Sequence, residues 1–190
     1  MDFRVSCNAE AQKEFSRATA LLHSFGYEEA RIGYQNAAKA DPGCAMAWWG
    51  VARTWYHPIW APPTADELKQ GAAALDRARA LDPKTTRERD SIESLAVFYK
   101  EAATVNHASR ARAYEQALAR LCGRYPEDDE AAILHALQLV AIGYLDPTDQ
   151  TYAWQKRRFS TGCCRGTRII PVWHTALSTA WTTRHWRSWG

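Results

Sequence analysis

The chain has 190 residues, 46% of them apolar, and a formal charge of +3; this is enough for one domain with a real core, and the composition is that of a globular protein. No run of about 18 apolar residues occurs, which excludes a helical membrane span. The opening residues lack the basic-then-apolar order of a secretory signal, so the chain as written reads as cytoplasmic. Residues 154–190 hold seven Lys or Arg and no acid, so the other 17 of the 24 basic residues face 21 acidic ones, a balance of −4 for the preceding body. Cys7, Cys44, Cys122, Cys163 and Cys164 show no paired metal-ligand spacing, and their odd number speaks for thiols rather than a closed disulfide framework.

In chain order, a first helix carries Phe15, Ala18, Leu21, Leu22 and His23 at helical spacing. Residues 27–57, YEEARIGYQNAAKADPGCAMAWWGVARTWYH, then read as a helix, a proline-punctuated turn and a second helix. Sliding the chain by 34 residues sets Phe15 on Trp49, Ala18 on Ala52, Leu21 on Trp55, Leu22 on Tyr56 and His23 on His57. A shift of 41 sets Tyr34 on Leu75, Ala37 on Ala78 and Asp41-Pro42 on Asp82-Pro83; the seven extra residues lie in HPIWAPPT, residues 57–64. Each unit is thus helix A, a turn, helix B and an Asp-Pro stop, since proline cannot continue a helix. Small residues at Ala18, Ala30, Ala37 and Ala52 let the helices approach closely, and the aromatics fill the space between units.

The third unit repeats this grammar. Ile92, Leu95, Ala96 and Tyr99 form one helical stripe, and Ala113, Tyr114, Ala117, Leu118 and Leu121 a second, ending at Tyr125-Pro126. Residues 85–90 alternate in charge and read as a solvated helix face behind an N-cap. A fourth A helix starts under Asp128 or Asp129 and carries Ile133, Leu134, Leu137 and Val140. No B partner follows, so Ile133, Leu134 and Leu137 are expected to be exposed. The domain therefore spans residues 6–153, with units at about 10–42, 45–83, 86–126 and an incomplete 128–153.

This pattern resembles the tetratricopeptide repeat. The motifs A-L-L-H-S-F, D-P-x-C-A-M-A-x-W-G, H-P-x-W-A-P-P and R-Y-P-x-D-D-E-A also resemble the N-terminal part of one bacterial family of large tetratricopeptide-repeat proteins of unassigned function. The resemblance implies an all-α fold, an α-solenoid of antiparallel helix-turn-helix repeats in a right-handed superhelix, with a concave A-helix face that receives a peptide or partner protein. Glu14, Arg17, Arg53 and Gln138, exposed polar positions on A helices, are the expected contacts, with Trp48 as an aromatic anchor. The resemblance also allows export of relatives, and in an exported protein Cys7 and Cys44, near the starts of the first two A helices, would form a disulfide.

The tail at 154–190 is basic and crowded by Trp173, Trp181, Trp186 and Trp189. Taken literally it is a nucleic-acid contact, because cations meet phosphates and indoles stack on bases. The better reading is an out-of-frame or disordered stretch: in the frame one base earlier, codon choice allows H-P-G-V-A-H-x-x-I-H, a motif of the same bacterial family. The chain is then a fragment of a longer repeat protein. An alternative reading gives that full-length parent a metal or small-ligand site built from His23, His57 and the lost histidines. Imidazoles suit zinc or copper, but two alone do not make a site. No nucleophile with a base, no glycine-rich phosphate loop and no paired carboxylates in an apolar setting occur, so no enzyme activity is expected. We expect a protein or peptide partner, no cofactor, no nucleic acid and no membrane.

Overall fold

The computed structural model describes residues 3–145. The incomplete end of the fourth unit, the basic tail, its frame and its nucleic-acid reading lie outside the described residues. Within them the protein is all-α, with seven helices and no strand: α1 (Ala9–His23), α2 (Tyr27–Ala40), α3 (Ala45–Arg53), α4 (Ala65–Ala80), α5 (Thr86–Tyr99), α6 (His107–Arg124) and α7 (Asp129–Leu145).

Local chemistry sets the helix ends. The Asn8 side chain accepts from the Ala11 amide, and the Asn106 side chain from the Ser109 amide. Thr64 with Glu67 and Thr85 with Glu88 form reciprocal capping boxes that start α4 and α5. Of the two candidate caps for α7, Asp128 serves: its Oδ1 accepts from the amides of Glu130 and Ala131. α2 stops at Asp41 because the residue before Pro42 is driven out of the helical region.

Each helix packs on the next, and α3 also touches α1 and α5. Ala18, Ala30, Ala37 and Ala52 are completely buried at these contacts. Glycines bring the helices closer still. A Cβ at Gly50 would lie 2.3 Å from the buried Tyr34 ring, and one at Gly71 2.3 Å from Tyr99. Gly50→Ala is therefore expected to destabilise by about 1–3 kcal/mol through overpacking, although alanine is the better helix former. Urea unfolding checks this, and an unchanged midpoint would show that Tyr34 can move aside.

The insertion between α3 and α4 folds back on the α1–α2 turn. The His57 ring centre is 4.2 Å from Tyr27, and Trp60 is 6.3 Å from Phe25 in an edge-on contact. The expected exposure of α7 needs correction: Leu134 is buried, whereas Ile133 and Leu137 are half-buried. Leu134 escapes solvent because Phe3, Trp49 and Leu121 converge on it around a void of about 10 Å³.

Candidate functional site: the A-helix face

The residues before α1 hold the most distinctive arrangement in the molecule. Asn8 anchors them to the α2–α3 turn, its amide donating to Asp41 Oδ2 at 2.8 Å and its Nδ2 to the Ala40 carbonyl at 2.9 Å. Cys7 is disulfide-bonded to Cys44 beside this anchor, with Cα atoms 5.1 Å apart. The default expectation of thiols thus fails for this pair, because Asn8 and Asp41 bring the two turns together; Cys122 is buried.

From this root, residues 3–6 run across the A helices. On α1, Gln12 takes the Val5 amide on Oε1 at 2.9 Å and returns its Nε2 to the Phe3 carbonyl at 3.1 Å. On α5, Glu88 Oε1 accepts from the Ser6 amide at 2.6 Å, and the Arg87 guanidinium donates to the Arg4 carbonyl. The Phe3 ring is 7% exposed. It sits 5.5 Å from Phe15 and 5.8 Å from Trp49, with the Arg87 guanidinium carbon 4.9 Å from its centre. Phe15 and Trp49, the pair that the 34-residue shift superimposes, form two walls of this pocket. Beside it a cleft of about 540 Å³ opens between Arg4, Arg87, Tyr125 and the acidic start of α7. Arg87 is held there by Asp128 at 3.0 Å.

Further along, the A-helix face is closed by side chains that meet across it. His23 Nε2 lies 3.0 Å from Glu130 Oε2, joining the end of α1 to the start of α7. The Tyr56 hydroxyl is 3.0 Å from the Gln138 amide, whose Nε2 also donates to the Ala111 carbonyl at 3.0 Å. Arg53, 2% exposed, donates to the Tyr56 carbonyl at 2.9 Å. The Tyr99 hydroxyl donates to the Ala52 carbonyl at 2.7 Å. Burial pushes the phenols of Tyr34, Tyr56 and Tyr99 above their ordinary value, and that of Tyr114 up to about 12, so all four remain neutral, and Tyr34, Tyr56 and Tyr99 serve as hydrogen-bonding groups.

The expected contact residues separate accordingly. Arg53 and Gln138 are not exposed, as the sequence suggested, but buried, because α7 brings Gln138 against Tyr56 and the aromatic cluster encloses Arg53. Arg17 is exposed and Glu14 half-buried. Arg17 lies five residues beyond Gln12, about 140° around the helix, away from the line that reads residues 3–6. Trp48 is half-buried under Arg77 of α4, 4.6 Å from its ring, and not beside Phe3. His23 and His57 go to different partners, Glu130 and the Thr54 carbonyl. Among the described residues no group of three or more His, Cys, Asp or Glu could hold a metal ion.

Sequence reasoning missed Phe3, Gln12, Arg87 and Glu88. Arg87 and Glu88 sat in the alternating charges taken as a solvated face, yet Glu88 is 2% exposed. The available signal was a short Phe-Arg-Val-Ser segment ending in a cysteine just before a helix cap.

Burial lowers the pKa of His57, against the Thr54 hydrogen bond that raises it; burial also lowers that of His107, aided by the Arg110 charge. Both rings are harder to protonate in the folded chain than in the unfolded one. Their contribution to stability is full above the ordinary value of 6.5 and falls as pH drops below it toward the depressed folded values. The thermal midpoint should decline between about pH 7 and 5.5, and more gently in a His57→Gln, His107→Gln double variant. Equal slopes would remove these histidines from the account.

Comparison of the chain with protein families, with curated proteins and with solved structures finds no match.

Proposed function

We propose that the chain is an α-solenoid of tetratricopeptide-like helical hairpins, a right-handed superhelix that acts as a protein-interaction scaffold. Its A-helix face, formed by α1, α3, α5 and α7, receives an extended segment of a partner protein. The observation that carries this reading is the way the face treats residues 3–6. Side chains of α1 and α5 pair with their backbone, and Phe15, Trp49 and Arg87 enclose an aromatic ring. A surface that satisfies the backbone groups of one extended strand is equipped for another. The Cys7–Cys44 bond supports an oxidising compartment as the place where the chain folds.

Selection of displayed random peptides on the reduced protein tests the proposal. Selected peptides should lose about tenfold or more in affinity on a Gln12→Ala, Arg87→Ala double variant, since hydrogen bonds to charged groups contribute about 1.5–3 kcal/mol. They should bind normally to Arg17→Glu. If the loss follows Arg17→Glu instead, the contact is on the outer face of α1 and the groove is not the site.

A further inference from the structure

In an extended strand the backbone N–H and C=O of alternate residues point to opposite edges. Residues 3–5 are read in that pattern, and the chain then bends at Ser6, where the Cys7 amide donates to the Val5 carbonyl at 2.9 Å. Gln12 on α1 takes the carbonyl of residue 3 and the amide of residue 5. Arg87 and Glu88 on α5 take the carbonyl of residue 4 and the amide of residue 6. The strand lies between α1 and α5, with Trp49 of α3 against its aromatic ring. Only one side chain is enclosed: Phe3 is buried, Arg4 is exposed, and Val5 and Ser6 are half-buried. Such a site selects an extended backbone with a single aromatic anchor and tolerates variation at the positions that follow.

The strand does not hold its place by these contacts alone. Cys7, the next residue, is bonded to Cys44 at the start of α3, and Asn8 is bonded to Ala40 and Asp41. Cys7 is thus held from two sides, by the peptide bond to the anchored Asn8 and by the disulfide, and the second link raises the effective concentration of the segment in the groove toward the millimolar range, which a free peptide at micromolar concentration does not displace.

We propose that residues 3–6 are an internal stand-in for the peptide ligand and that the Cys7–Cys44 disulfide is the latch that keeps them in the groove. The proposal rests on the peptide-scaffold reading and specifies its ligand as an extended segment with an aromatic residue at the position of Phe3. The latch opens by thiol–disulfide exchange with a dithiol. Two electrons and two protons pass to the Cys7–Cys44 bond, which breaks into two thiols, while the dithiol closes to a disulfide. The groove then exchanges its own strand for that of a partner.

The test is fluorescence anisotropy with a fluorescein-labelled peptide of residues 2–8 carrying Cys7→Ser, added to the full chain oxidised and after dithiothreitol. The reduced protein should bind about tenfold more tightly than the oxidised one. A Phe3→Ala protein with its disulfide intact, which empties the pocket without reduction, should also bind at least tenfold more tightly than the oxidised wild type. Phe3→Ala in the probe should abolish binding to every form. Circular dichroism identifies any form that has unfolded, and the oxidised Phe3→Ala protein then decides the outcome. Equal affinity of the oxidised wild type and Phe3→Ala overturns the proposal, as does binding indifferent to Phe3→Ala in the probe. If selected random peptides depend on Gln12 and Arg87 while this probe binds no form, the stand-in is wrong and the scaffold stands. If neither binds, both fall.

Discussion

Replacing Trp49 by alanine should lower the stability of the fold by about 3–5 kcal/mol, the range for removing a large buried aromatic from a packed core. Trp49 is 2% exposed and touches Phe15 on α1 as well as Phe3. It therefore joins α1, α3 and the segment laid over them. The loss should have a local signature beyond the global one. The amides of Val5 and Ser6 donate to Gln12 and Glu88, and their hydrogen exchange should accelerate by more than global unfolding explains. A double-mutant cycle with Phe3→Ala should return a coupling of about 0.5–1.5 kcal/mol for the edge-on ring pair. Independent effects would mean that Phe3 is held by Arg87 and Phe15 alone.

Replacing Cys7 and Cys44 together by serine should cost about 3–4 kcal/mol, because the bond closes a loop across a separation of 37 residues in the unfolded chain. For a protein of this size that corresponds to a fall of roughly 10 °C in the thermal midpoint. Adding dithiothreitol to the wild type should produce the same fall and should leave the double serine variant unchanged. A loss below about 1 kcal/mol would show that Asn8 and Asp41 restrict this loop enough without the sulfur link.

Much of the helical framework was legible because its causes are local. The cap before residues 85–90, the Asp128 start of α7, the Asp-Pro stops and apolar stripes at helical spacing mark the elements wherever the chain goes next. The superposition of Phe15 on Trp49 came from the period alone, and those two rings flank Phe3. The roles of the polar residues were less legible. Arg53 and Gln138 look like surface groups in any window of sequence, and only contact with residues far along the chain buries them. Gln138 meets Tyr56 across 82 positions, and His23 meets Glu130 across 107. The same holds for Glu88, a helix-start residue whose second carboxylate oxygen reaches the amide of Ser6.

By itself, then, the sequence determined that the chain is helical, where the helices begin and end, and which small residues lie at their contacts, because capping, proline sterics and 3.6-residue periodicity act within a few residues. Only the tertiary structure decided which face of the A helices is occupied. That depends on α1, α3 and α5 standing side by side, so that Gln12, Trp49 and Glu88, distant in sequence, converge on residues 3–6, and on a disulfide between two turns that no local rule pairs.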